Sequence, residues 1–329
     1  MFRVTDNQDY CSVKVEAISS TVAFERSPRT CAPAIPGVDV IRGCPAGCLF
    51  CPHRWRGLEP GRFQVKVDLP SILESELASR KRSGTFPDSV VFNAFSDAFP
   101  KNAPALVLCH ETLKILLEND IKVYLRTREV VPEGFKDLFK KHSSKISVDV
   151  SFFSMDEQLS KLYEPCASHP QQRLDTIRTL LSWGVDVRAR IEPLIPFVND
   201  TAGHMEELVR HVRSAGARRA VSSYLFLTKG MMDNFEQKLP VAHFRLIKGS
   251  FRRRPWQQVG IHQMLKFLPA KIRTEGYERL GKIAKESDLS LHICKCSDPA
   301  LGQPCFDKLV KSSDNGSKKG QLSLFDMAG

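Results

Sequence analysis

The chain has 329 residues, of which 42% are hydrophobic and 26% charged, ordinary globular values that exclude wholesale disorder, a fibrous repeat and a disulfide miniprotein. Its 48 lysines and arginines outnumber 37 aspartates and glutamates, giving a formal charge of +11, which points to a polyanionic partner where the charge is clustered. No stretch reaches the roughly 18 apolar residues of a membrane span, and the start, MFRVTDNQDY, is too polar for a signal peptide. A soluble, cytoplasmic protein with no membrane partner is expected, and its ten cysteines are read for metal or thiol chemistry and not as a disulfide framework.

After an N-terminal segment, 1–30, the chain alternates short β-branched runs with longer stretches of helical periodicity, the pattern of repeated β-α units on a parallel sheet. Six strands are predicted, at Val38 to Ile41, Val90 to Ala94, Ile121 to Arg126, Ile146 to Phe153, Val185 to Glu192 and Ala220 to Leu227. The helical stretches from Gln171 to Trp183 and from His204 to Ala215 stop at Gly184 and Gly216, where a left-handed cap is wanted. Six such units make a partial barrel or a doubly wound sheet, and either gathers chemistry at the carboxyl ends of its strands. This domain is assigned to 31–236. Residues 237–308 form a basic, cysteine-containing extension that holds a charged helical stretch, Glu275 to Ser287, and then a short apolar strand. Residues 309–329 form a tail, polar and flexible through KSSDNGSKKG.

The loop leaving the first predicted strand carries Cys44, Cys48 and Cys51 among two glycines. Thiolates at that density suit zinc or an iron-sulfur cluster. A structural zinc site wants four ligands, which His53 could complete, whereas three cysteines on a 4Fe-4S cluster leave one iron open.

Cys44-x3-Cys48-x2-Cys51, with Phe50 before the last cysteine, resembles the signature of radical S-adenosylmethionine enzymes. The resemblance implies a partial (β/α)6 TIM-like barrel, a 4Fe-4S cluster on the three cysteines, S-adenosylmethionine on the open iron, and an electron donor such as flavodoxin or ferredoxin. The cofactor supplies the radical chemistry. Within that superfamily, residues 35 to 230 resemble the spore photoproduct lyase group of DNA repair proteins. The matching pieces are Ile41 to Cys44, Ser96-Asp97, Thr127-Arg128, Ser151, Glu164-Pro165, Arg173-Leu174 and Glu192 to Pro196. The resemblance places Phe50, Asn93, Ser96, Arg128 and Ser151 at the S-adenosylmethionine. Lyases proper carry a hydrogen-donating cysteine just before the Ser-Asp pair. Here that residue is Phe95, so thymine dimer reversal is not the expected reaction, and Cys166 is the candidate thiol to act instead.

Cys294, Cys296 and Cys305 form a second trio with metal-ligand spacing, for which Cys31 is the first candidate as fourth ligand, with His292 and Cys11 behind it. An auxiliary iron-sulfur cluster and a structural zinc both fit. Residues 237 to 274 hold no acid, and residues 243 to 273 interleave eight cations with Phe244, Phe251, Trp256 and Phe267. That combination suits a phosphate backbone and unpaired bases, with Arg252, Arg253, Arg254 and Trp256 as the contacts expected to DNA. The tail ends in Gln321-Leu322-Ser323-Leu324-Phe325, which looks like the pentapeptide that docks bacterial repair factors on the replicative sliding clamp. A linker of about twelve residues would reach on the order of 20 Å. The expected function is therefore a radical enzyme that repairs or modifies a DNA base and is recruited by the clamp. An RNA-modifying enzyme and a zinc-stabilised, non-catalytic nucleic-acid-binding protein are the alternatives.

Overall fold

The computed structural model describes residues 14–25, 35–52, 62–259, 263–294 and 297–302. Strands β1 (Lys14–Ile18), β2 (Gly37–Val38), β3 (Ile41–Arg42) and β4 (Arg62–Lys66) open the chain. Then come α1 (Leu69–Ser83), β5 (Ser89–Phe92), α2 (Ala103–Glu118), β6 (Lys122–Thr127), α3 (Lys136–Lys141), β7 (Ile146–Phe152) and α4 (Glu157–Tyr163). They are followed by α5 (Pro170–Ser182), β8 (Asp186–Leu194), α6 (Ala202–Ser214) and β9 (Arg219–Tyr224). The last elements are β10 (Phe226–Leu227), α7 (Met231–Lys238), α8 (Val241–Ser250), β11 (Trp256–Val259), β12 (Gln263–Phe267), α9 (Ala270–Glu286) and β13 (Ser290–Ile293).

The main sheet has seven strands in the order β13-β9-β8-β7-β6-β5-β2, and every neighbouring pair is parallel. Both faces of β7 and β8 are almost wholly buried, as a parallel sheet covered on each side requires. The helix stops fall where the sequence put them, with Gly184 at φ 79° and Gly216 at φ 100°.

One buried cluster joins Val91, Tyr124, Val221 and Cys294, with Ile35 and Ala94 packed against it. Val91 lies on β5 and Val221 on β9, with three strands between them. In a flat sheet, four strand spacings would hold them roughly 19 Å apart. The sheet therefore curves until its two halves touch across a concave face.

Three expectations change. The first predicted strand is two pieces, because β2 joins the main sheet while β3 pairs antiparallel with β4 in a small sheet of order β1-β4-β3. The break falls at Asp39 and Val40: Phe95 N donates to the buried Asp39 carboxylate (3.4 Å) and Val40 N donates to Asn93 Oδ1 (2.9 Å), tying these two residues to the end of β5. The sixth predicted strand likewise divides, and its end, β10, pairs with β12 in a sheet of order β10-β12-β11. The basic extension is also integral to the fold, since the 236/237 boundary falls inside α7 and β13 supplies the seventh strand of the main sheet. No helix among the described residues is long and apolar enough to cross a membrane.

Candidate active site at the carboxyl ends of the parallel strands

The loop after β3 carries Cys44, Cys48 and Cys51 outside any disulfide, the second buried and the other two half-buried. Four hydrogen bonds fix its path. Ser96 Oγ donates to Gly43 O (2.5 Å), Cys166 N to Ala46 O (3.2 Å), Leu49 N to Tyr163 O (2.9 Å) and Asn234 Nδ2 to Leu49 O (3.0 Å). The loop is thus tied to the end of β5, to α4 and to α7. Gly47 turns it at φ 66°, where a Cβ would stand 3.4 Å from Pro165 Cγ.

Among the described residues, no three His, Cys, Asp or Glu side chains meet closely enough to share one metal ion. Burial pushes the Cys44 thiol up, helped by Asp97 and by its two cysteine neighbours. Burial raises Cys48 as well, while Arg128 beside it works the other way. A metal bound here would have to displace protons from these sulfurs.

Asp97 organises the adjoining strand ends, accepting from Phe99 N (2.9 Å), Thr127 Oγ1 (2.7 Å) and Arg128 N (2.7 Å). The Arg128 guanidinium lies 5.2 Å from the centre of the Phe50 ring, pairs with Glu164 and donates to Glu192 O (3.2 Å). Glu164 is shared with the buried Arg173 (2.6 Å), whose other donors reach Ser151 O (2.9 Å) and Ser168 O (2.7 Å). Phe50 stacks on Phe153 at 5.3 Å. The hydroxyl of the fully buried Ser151 has no hydrogen-bond partner among the described residues. A buried orphan hydroxyl is costly, and a bound cofactor would be one way to supply its partner.

Deeper on the concave face the strands carry charged side chains in place of the apolar residues usual on a buried face of a parallel sheet. Arg188 Nε donates to Asp149 (2.8 Å), Arg190 bridges Asp149 (3.0 Å) and Glu192 (2.8 and 2.6 Å), and Ser223 Oγ donates to Glu192 (3.1 Å). Burial works to raise Glu192, but Arg190 and Arg126 beside it hold its carboxyl down at about 2.

Asp39 shows the opposite behaviour. Burial, then the charge of Glu25, lifts it to about 7 against the opposing pull of Phe95 N–H and Lys66, and its Oδ2 has no partner. The unfolded chain releases this proton near pH 4, so stability falls as pH rises from about 4 to 7 and the loss is complete above that window. Asp39→Asn should raise the unfolding temperature at pH 8 more than at pH 5. Glu129, which burial and Asp97 also lift to about 7, preserves part of the slope. An equal change at both pH values in scanning calorimetry would refute this assignment.

No family model matches the chain. The uncharacterized protein Rv2578c of Mycobacterium tuberculosis is 24% identical over 260 residues, which cover 74% of this chain and 76% of that protein. The uncharacterized protein MJ0683 of Methanocaldococcus jannaschii is 26% identical over 176 residues, 50% of this chain and 64% of that one. Among solved structures, spore photoproduct lyase complexed with dinucleoside spore photoproduct superposes with a TM-score of 0.65 at 14% identity, covering 89% of this chain and 86% of the other. A variant of that lyase with bound AdoMet and dinucleoside spore photoproduct gives 0.66 at 15%, covering 85% and 80%. A radical SAM methyltransferase from Sphaerobacter thermophilus gives 0.51 at 16%, covering 80% and 67%. The chain has the fold of the radical S-adenosylmethionine enzymes. Spore photoproduct lyase in particular shares it over most of both chains.

The sequence-predicted residues fare differently. The three cysteines and Phe50 share one loop, Arg128 lies against Phe50, and Ser151 is linked to Arg128 only through Arg173 and Glu164. Ser96 spends its hydroxyl on that loop. Asn93 is buried and commits its amide to Val40 N, Asp97 O (3.1 Å) and the Cys109 sulfur (3.5 Å), which makes it a strand-end clamp. Cys166 is disulfide-bonded, so any role as a hydrogen-atom donor first requires reduction. Cys294 is buried on the concave face; Cys31, Cys296, Cys305 and Gln321 to Phe325 lie outside the described residues. In the basic stretch Arg252 and Arg253 are exposed, while Arg254 is half-buried and donates to Phe267 O (3.2 Å). Trp256 is exposed, but Phe251 and Phe267 are core residues, a correction to the expected row of stacking faces. Sequence reading assigned no role to Glu164, Arg173 or the ladder of Asp149, Arg188, Arg190 and Glu192. Its signal was there, since charges at positions 188, 190 and 192 keep the period of a strand with one polar face.

Proposed function

We propose that the chain is a radical S-adenosylmethionine enzyme of DNA repair or base modification, with a 4Fe-4S cluster on Cys44, Cys48 and Cys51. The observation that carries this reading is the three-cysteine loop at the strand ends, taken with the orphan hydroxyl of Ser151 and opening onto a charged concave face. The bound cluster and S-adenosylmethionine supply the radical chemistry. The chain's own contribution is positional: Arg128 and Phe50 form a cationic and aromatic wall, Ser151 offers an unused donor, and the curved sheet, read as a partial barrel, shields the chamber from water.

Anaerobic reconstitution should yield about four irons per chain, and dithionite with S-adenosylmethionine should release 5′-deoxyadenosine. Zinc retention without cleavage would end the proposal. DNA as substrate is supported by the dinucleoside spore photoproduct bound to the lyase of shared fold, by the charge of +11 and by the exposed Arg252 and Arg253. Replacing these two arginines with alanine should weaken DNA binding alike for all sequences and lower the salt slope by about 2. An unaltered slope would remove them from the interface. For docking on the sliding clamp, deletion of residues 321–329 should abolish clamp pull-down and leave 5′-deoxyadenosine formation intact.

A further inference from the structure

The ladder on the concave face does not balance its charge. Three guanidinium groups, Arg126, Arg188 and Arg190, meet two carboxylates, Asp149 and Glu192. Asp149 is taken by Arg188 and Arg190, and both oxygens of Glu192 are taken by Arg190, with Ser223 as an additional donor. The guanidinium of Arg126, on β6, is left with one ion pair to Glu192 at 3.8 Å and no hydrogen bond among the described residues, and its Nε is buried without a partner there. Its side chain is nevertheless 34% solvent-accessible. Burial and the like charge of Arg190 pull its guanidinium below the ordinary value, against the opposing pull of Glu192 and Asp149. Arg126 is the register partner of Asp149 between β6 and β7, two residues before Arg128, which follows the end of β6. An anion placed there would enter the same chamber as the cofactor and lie beyond it.

We infer that Arg126 binds an oxyanion of the substrate, offering its fork of N–H donors to a group such as a phosphodiester or a carboxylate. The inference rests on the reading of the concave face as the reaction chamber and adds the chemistry the substrate must present there. A lysine would keep the charge and lose the fork.

The test uses the anaerobically reconstituted chain and two probes, thymidylyl-thymidine and its uncharged methylphosphonate analogue, with affinities from calorimetry. The wild type should bind the charged dinucleotide about tenfold more tightly than the neutral one. Arg126→Gln should erase that difference without changing affinity for the neutral probe, the iron content or affinity for S-adenosylmethionine, and Arg126→Lys should restore only part of it. Equal weakening of both probes, or weakening of S-adenosylmethionine alone, would overturn the assignment. Should the wild type bind neither dinucleotide, the nucleic-acid reading fails by itself. Protection of Arg126 from phenylglyoxal by inorganic phosphate or acetate would then still uphold the oxyanion site, and absence of protection would overturn it as well.

Discussion

Serine at position 48 should leave a folded chain that holds little iron and forms no detectable 5′-deoxyadenosine. Cys48 is the most enclosed of the three thiols, set in a loop whose backbone is held by Tyr163, Asn234, Ser96 and the Cys166 amide. Serine is smaller and changes none of those bonds, so the fold and its unfolding midpoint should survive. A hydroxyl does not ionise like a thiol and is a hard ligand where a soft one is needed, so cluster assembly should fail at its buried corner. Cys109→Ser is the control, because that thiol lies in the core of α2 and its loss should not alter iron content. Wild-type iron in the Cys48→Ser chain would show that the loop is not the cluster site.

The second large effect concerns Glu164. Its carboxylate is wholly buried between Arg128 and Arg173. Glu164→Ala would leave two buried guanidinium groups without their anion, a loss of about 3–5 kcal/mol in stability. It should appear as a lower urea midpoint at unchanged slope. The site should suffer too, because Arg128 is held over Phe50 by that pair. Combining Glu164→Ala with Arg173→Met, which removes one orphan charge and keeps bulk, should recover part of the stability. A change below about 1 kcal/mol in the single variant would mean that water already enters the cluster of charges.

The parallel sheet was legible in the sequence because period-2 and period-3.6 runs alternate without ambiguity between residues 89 and 224, and because Gly184 and Gly216 punctuate the helices. The cysteine loop was legible because three thiols in eight residues have few uses other than holding a metal. The break at Asp39 was not, since its hydrogen bond to Phe95 joins residues far apart in sequence. Nor was the split role of the aromatic residues around the arginines. Composition places Phe251 and Trp256 in one class, and only tertiary packing buries the first and exposes the second. The paired arginines and acids of the concave face could be counted in advance, but which guanidinium is left without a hydrogen-bonded carboxylate depends on rotamers that the sequence does not display.

The seventh strand has a temporal consequence. β13 docks beside β9 only after nearly all the described chain has been synthesised, and with it Cys294 reaches Val91 and Tyr124. Until then β9 leaves the ribosome with a bare backbone edge, ready to recruit a strand from another molecule. The cysteine loop, finished early, meanwhile waits for Asn234 to secure it. Closure of the chamber is therefore a late, non-local event. A nascent chain halted before Ser290 is open and prone to aggregate even though its cysteine loop is already complete.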